Sequence, residues 1–420
     1  MKKLYLFFLL AFIFVGKSNL SAQVTVTATS GTLTGTYTTL KAAFDAINLG
    51  THKGDIIINI SANTIEGTTP ATLNSGDADP TAYSSILIQP SVDAVSISGN
   101  PGAGFGVIQF NGADNVVISG DNPNTAGYNR DLTINNTSTA SVTASSVIRI
   151  ATRPTAASSA DNNFILNCIL NGNVTSGNAS GTTLATSSAN ISFGIYCGGN
   201  AGVSSGAAPV AITAASPEAA LTATTINNLV IDNNIINQCG RGIEFNGAVV
   251  TVSSSLTITN NTIGAAGALG TYPYTTPVTT VYAKGIWIAG TDAVYINSNN
   301  IRNILSYLST TISGIELVSA IGSGAIDISS DTLTGVVNNG TLNDAVGILM
   351  SSVSSKFSIT ANTISVVENN ATQAVAGIKI ATAGGQAKVN QNNISGIFQE
   401  IWVGMVHRGL IYLLLPAGQK

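Results

Sequence analysis

The sequence predicts an all-β solenoid of short parallel strands stacked coil upon coil, and three observations predict it. Two short phrases alternate along the chain, they share a period near 30 residues, and Ser, Thr, Asn, Gly and Ala carry its polarity.

The first phrase is an apolar-x-apolar run closing on Asn. Six copies align as LVIDNNII (229–236), LTITNNTI (256–263), VYINSNNI (294–301), IDISSDTL (326–333), FSITANTI (357–364) and AKVNQNNI (387–394). Their third residues, Ile231, Ile258, Ile296, Ile328, Ile359 and Val389, lie 27, 38, 32, 31 and 30 residues apart. The second phrase is a Gly-Ile-x-apolar tetrad: GIYC (194–197), GIEF (242–245), GIWI (285–288), GIEL (314–317), GILM (347–350) and GIKI (377–380). Its last four glycines are 29, 33 and 30 apart, and chance similarity would not keep two motifs in phase. Each phrase alternates apolar and other residues at the strand period. Strands this short cannot bury a face alone. Stacking them about 4.8 Å apart turns their inward residues into continuous columns.

The recurring Asn has a structural task. Asn234, Asn261, Asn299, Asn362 and Asn392, with Asp331 as the variant, fall at the bend after the first strand. Asn tolerates left-handed backbone angles, and amides stacked in register hydrogen-bond along a column. A turn ladder is therefore expected; the alternative is a polar ligand-binding row.

Composition agrees with strands joined by tight turns. Of 420 residues 44% are hydrophobic and only 9% charged, with 43 Gly, a mixture poor in the Glu, Lys, Arg and Leu that helices favour. Residues 1–22 read as a secretory signal peptide: two lysines, an apolar run from Leu4 to Val15, and small residues before a cut after Ala22. That run is short for a bilayer span, so no transmembrane segment is expected after cleavage and the chain is expected to be secreted or at the cell surface. Losing Lys2, Lys3 and Lys17 leaves 13 basic against 20 acidic residues, a net charge of −7. Nucleic acid is thereby excluded as a partner, since no basic run could follow a phosphate backbone. Cys168, Cys197 and Cys239 form no C-x-x-C, and they read either as three small core residues or as one disulfide and one thiol.

Along the chain, TYTTLKAAFDAINLG (36–50) places Leu40, Ala43, Phe44 and Ile47 on one helical face, with Thr38 or Thr39 as N-cap and Gly50 as the stop. SSILIQPS, VSISGN, GVIQFNGADNVVISGDNP and RDLTINNTS follow as less regular coils. Residues 137–160, 174–190, 200–227 and 264–281, rich in Ala, Ser, Thr and Gly, are expected to be projecting loops. One domain is expected over 23–397, most regular over 228–397. Residues 398–420 break the pattern and read either as the product of a truncated or frame-shifted gene or as an amphipathic C-terminal cap.

With these phrases the chain resembles the right-handed parallel β-helix proteins of the pectate-lyase-like superfamily, above all its secreted bacterial surface members, across about residues 37–397. The resemblance implies a right-handed helix, with the helical segment and its flanks (about 37–55) as an N-terminal cap over the first coil. It implies no single activity, because that superfamily includes lyases, hydrolases and adhesins.

Chemistry is sparse. If Ile and the closing apolar residue of the tetrad face inward, the residue between them faces out, giving an outward column of Tyr196, Glu244, Trp287, Glu316, Leu349 and Lys379. Aromatic faces stack on sugar rings and carboxylates accept hydroxyl hydrogen bonds, so Tyr196, Glu244, Trp287, Glu316 and Lys379 are the candidate ligand-binding residues. A plain solvated face is the alternative, and Leu349 favours it or a covering loop. No catalytic residues are assigned. Glu244 and Glu316 would stand about 10 Å apart, at or beyond the separation of paired glycosidase carboxylates. No acidic cluster accompanies Arg241 or Arg302, as a Ca²⁺-dependent lyase would want, and the paired-Asp and Arg-Ile-Lys signatures of β-helix polygalacturonases are absent. GDADP (76–80) and SGDNPNTAGYNRD (119–131) are only weak Ca²⁺ loop candidates; no cofactor and no metal site are expected. His52, expected in a loop, and His407 are the only histidines, which excludes His-based triads and metal sites. GNPGAGFGV (99–107) lacks the Lys-Ser/Thr of a phosphate loop. The favoured function is a non-catalytic exported scaffold, adhesin-like or glycan-binding, with a polysaccharide or a surface protein as partner. The alternative is a lyase or hydrolase of acidic polysaccharide.

Overall fold

The computed structural model describes residues 22–139, 144–152, 159–173, 192–198, 225–247, 253–264, 284–306, 311–318, 324–338, 343–351, 356–369, 373–381 and 386–399. Residues 1–21 of the signal segment, most of the Ala/Ser/Thr/Gly-rich stretches, and residues 400–420 with His407 lie outside them.

The described chain forms three long sheets of 12, 10 and 9 strands. Each coil gives one strand to each sheet in turn, so a strand's partners are its equivalents in the coils before and after. Pairing is parallel except at the N-terminal edge. The chain is a parallel β-helix. Among the described residues no helix is long and apolar enough to cross a membrane.

One copy of the first phrase serves two sheets. Leu256–Thr259 runs in the first sheet, Asn261 turns the corner, and Thr262–Ile263 enters the second. The tetrad makes the third sheet, as in Lys284–Ala289. Ile231, Ile258, Ile296, Ile328, Ile359 and Val389 pair directly in register, and the same column continues back through Ile165, Ile118, Ile88 and Ile58. All are buried except Val389, which is half-buried against the core. Burying aliphatic side chains in this way is the main source of stability.

The tetrad's glycine has a packing cause. A Cβ on Gly242, Gly285, Gly314 or Gly347 would fall 2.4–2.8 Å from the carbonyl oxygen of the next glycine in the column and 2.5–2.7 Å from a branched side chain of the second sheet. Only glycine lets the second and third sheets meet this closely at the corner.

The Asn ladder is built by side-chain amides. Asn261 Nδ2 donates to the Ile231 carbonyl of the preceding coil (2.8 Å) and to Asn299 Oδ1 of the following one (3.0 Å), and the Asn261 N–H donates to that same Oδ1 (3.0 Å). Asn234, Asn299 and Asn362 repeat the pattern, and Asn392 donates to Ile359. Cys168 fills the same position one coil earlier, its N–H bonded to Asn234 Oδ1 at 2.9 Å. The left-handed backbone expected of these residues belongs instead to their predecessors: Asn233, Asn260, Ser298, Ser330, Ala361 and Gln391 all have φ between 55 and 58°. One residue takes the bend and the next, in ordinary backbone geometry, aims its amide along the stack.

Another left-handed column crosses the second sheet through Asn303, Gly335, Val366 and Gly396, which the strand register places opposite one another. Val366, with φ 56°, is β-branched where its equivalents are Gly or Asn, so it carries local strain.

The N-terminal cap is larger than the sequence suggested. Helix Leu40–Asn48 buries Leu40, Ala43, Phe44 and Ile47, Thr39 Oγ1 accepts the Ala42 N–H (3.1 Å), and Gly50 follows with φ 71°. The Glu66 carboxylate also accepts the Leu40 and Lys41 N–H groups (3.0 and 2.7 Å), stabilising the positive end of the helix. Ahead of the helix, Val24–Gly31 pairs antiparallel with both Thr34–Tyr37 and His52–Ile60, so the first coil's edge is covered by a hairpin. His52 is not in a loop: it opens the strand His52–Ile60, is fully buried, and bonds to the Tyr37 hydroxyl (2.6 Å) and the Thr32 carbonyl (2.5 Å).

Candidate functional site

Strand register brings Tyr196, Glu244, Trp287, Glu316, Leu349 and Lys379 into one column on the third sheet, each opposite the next. Gln109 and Arg149 extend it toward the N-terminus. A companion column three residues earlier in each strand holds Ser146, Phe193, Arg241, Lys284, Ser313 and Val346.

The two columns interact in pairs. Arg241 Nη1 lies 2.6 Å from Glu244 Oε2, and Lys284 Nζ lies 2.7 Å from Glu316 Oε2. Ser313 and Ser351 hydroxyls donate to the two Glu316 oxygens at 3.0 and 3.2 Å. Lys379 pairs with Asp344. Trp287 sits between the two Glu rungs, with the Arg241 guanidinium 5.6 Å and the Lys284 ammonium 5.8 Å from its ring centre. Tyr196 packs on Phe193, ring centres 5.0 Å apart, with Ala144 alongside.

The column differs from expectation in its access. Tyr196 and Glu244 have no exposed surface, and Trp287, Glu316 and Leu349 retain only 5, 6 and 5%. Of the five proposed ligand-binding residues only Lys379 is half-exposed. Strand alternation fixes which side of the coil a residue takes, but it does not say whether that side meets water. The third sheet is covered on both faces: Phe193–Gly198, Arg241–Asn246 and Ala345–Met350 are buried at every position, whereas first-sheet strands such as Leu256–Thr259 alternate buried and half-buried. The unbroken apolar run of GILM carries that signal, because strands buried on both faces lose their alternation.

Burial also sets the protonation chemistry. Tyr196 is pushed far above the ordinary tyrosine range, first by desolvation and then by the Glu244 charge beside it. Its hydroxyl therefore holds its proton, the opposite of what a proton-abstracting base needs. Desolvation lowers Arg149 to about 10, so it remains cationic at neutral pH, donating from Nη1 to the Gly104 carbonyl at 3.0 Å. Sequence reasoning missed Arg149 because no GI tetrad marks its strand, Ser146–Ala151.

Around 119–131 the carboxylates bond within the loop and its neighbours. Asp121 Oδ1 accepts the Asn129 N–H (2.6 Å), Asp131 Oδ2 the Asn122 N–H (3.3 Å), and Asp93 Oδ1 the Asn122 side chain (2.6 Å), so the carboxylates around 119–131 organise the loop. Among the described residues no group of three His, Cys, Asp or Glu is arranged to hold a metal. The three cysteines are free and buried; desolvation pushes all of them up, Cys239 to about 12.

No family model and no curated protein matches the sequence. Among solved structures the chain is similar to PfbA, a surface adhesin of Streptococcus pneumoniae, with 13% identity, coverage of 86% of this chain and 88% of that one, and a TM-score of 0.38. It is also similar to the A-module of the Azotobacter vinelandii mannuronan C-5 epimerase AlgE6, with 11% identity, coverage of 84 and 94%, and a TM-score of 0.26. The likeness is one of fold alone.

Proposed function

We propose that the chain is an exported, non-catalytic β-helical scaffold that acts as an adhesin-like module, holding a polysaccharide or a surface protein on its outer faces. One observation carries this reading: Glu244 and Glu316, the two carboxylates of the candidate column, are each closed into a buried ion pair, two coils apart, with Trp287 between them. Two coils is about 10 Å by strand spacing, and neither carboxylate is open to a substrate. In this reading the column proposed for ligand binding is an internal polar layer whose pairing satisfies the charges it buries.

The outer faces of the first and second sheets support the same reading. Asn135 Nδ2 donates to Ser98 Oγ (3.2 Å) and Asn171 Nδ2 to Asn135 Oδ1 (2.9 Å), making an amide row on the second sheet. The first sheet carries Ile57, Leu87, Val117, Phe164 and Val230 in one register column, with Ile57 41% exposed. Over these coils both rows are regular and uncharged; farther along, the first-sheet column takes in Asp327 and Lys388 and the second-sheet column Arg302. Rows at strand spacing suit repeated weak contacts along an extended partner.

The test is to screen the full chain against glycan and surface-protein arrays, and against acidic polysaccharides for turnover, beside Glu244→Gln and Trp287→Ala. The expected result is array binding that survives Trp287→Ala in the folded fraction, and no turnover. Turnover that disappears in a folded Glu244→Gln protein would establish the enzyme reading instead. Retention on neither array would remove the adhesin-like one.

A further inference from the structure

The Asn ladder has a direction, and Asp331 stands in it as the rung that breaks the chemistry. Asn234, Asn261, Asn299 and Asn362 each offer an Oδ1 that accepts and an Nδ2 that donates, both to the carbonyl of the preceding coil and to the next rung's Oδ1. Asp331 keeps the accepting half: its Oδ1 takes the Asn299 N–H (2.7 Å) and Nδ2 (2.9 Å), and its own N–H donates to Asn362 Oδ1 (2.9 Å). Its Oδ2 occupies the place of the amide nitrogen, is fully buried, and has no hydrogen-bond partner. By the pattern of the other rungs that place faces two acceptors, the Ile296 carbonyl and Asn362 Oδ1. An ionised carboxylate there would turn negative oxygen toward negative oxygen in a site without water.

We propose that Asp331 is held as a neutral carboxylic acid whose Oδ2–H replaces the missing amide donor, and that its ionisation breaks the ladder at this coil, making the solenoid pH-sensitive. Of the charged and titratable groups on the strands packed around this corner, Tyr295, Asp327 and Lys388 belong to the outer column of the first sheet, and Arg302 to that of the second. Glu368 lies near the far end of Thr363–Asn369, opposite Phe398. None of them supplies Oδ2 with a donor, and the Asp327 charge adds to the pressure for a neutral acid. Desolvation first, opposed by the Asn299 bonds, pushes the Asp331 carboxyl up to about 7, which agrees with the geometry.

The linkage follows in sign. The folded state keeps this proton longer than the unfolded chain, so stability is full below the unfolded value near 3.8, falls as pH rises toward about 7, and levels above it. Asp331→Asn restores a donor without change of shape. Melting temperatures of the full chain and of Asp331→Asn across pH 4 to 9 test this. The variant is expected to melt higher at pH 8, with the gap closing toward pH 4. An infrared difference spectrum between the two proteins at pH 6 is expected to show a protonated carboxyl C=O stretch in the wild type alone. Parallel melting profiles, or a carboxylate signal at pH 6, would overturn the proposal.

Discussion

Replacing Gly347 by alanine is expected to destabilise the protein by about 3 kcal/mol, read as a lower urea midpoint at unchanged slope. The added Cβ would stand 2.4 Å from the Gly377 carbonyl oxygen and 2.7 Å from Ile364 Cγ2. The oxygen belongs to the neighbouring coil's backbone, so relief requires the coils to move apart and the third-sheet hydrogen bonds to lengthen. Gly102, whose added Cβ would meet nothing nearer than 3.7 Å, is the control: Gly102→Ala is expected to change stability by no more than a few tenths of a kcal/mol. A Gly347→Ala protein as stable as the wild type would mean that the coil spacing is adjustable and that the glycine column is not needed for packing.

Asn299→Ala is expected to cost about 4 kcal/mol. Its Oδ1 accepts both the Asn261 N–H and Nδ2, and its Nδ2 is a donor to the Ile258 carbonyl. Truncation would leave these buried groups without partners where no water reaches them. Asn135 offers the contrast. It makes the same kind of side-chain bonds, to Ser98 and Asn171, but on the outer face of the second sheet, where water can replace them. Asn135→Ala is expected to cost under about 1 kcal/mol. Equal losses from the two substitutions in thermal unfolding would show that the ladder's stability does not come from its burial.

The repeat was legible because its cause is periodic. Ile231, Ile258 and Ile296 recur in the sequence for the reason they recur in space, each filling the same inward position one coil later. The ladder residues were legible for the same reason, although their backbone role was misplaced by one residue: Ser298 and Ala361 take the left-handed bend without being residues that announce it. The N-terminal hairpin was missed even though VTVTATS alternates cleanly, because it occurs once and no repeat points to it. The site was half legible. The column of Tyr196, Glu244, Trp287 and Glu316 follows from strand register alone, but its burial depends on what covers the third sheet, and that is a tertiary property. Arg241 and Lys284 stand three residues before Glu244 and Trp287, and the corner of the coil turns both members of each pair to the same side. A regular alternating strand would have separated them, which is why the ion pairs were not visible in the pattern.

The most direct test of the central claim, that the third-sheet column is a closed structural layer rather than an open groove, is acrylamide quenching of Trp287 fluorescence in a Trp402→Phe background. Blue-shifted emission and almost no quenching are expected, with no response to added polysaccharide. Quenching at the rate of a free indole, or protection that appears only with polysaccharide, would show that Trp287 faces an open site and would contradict it.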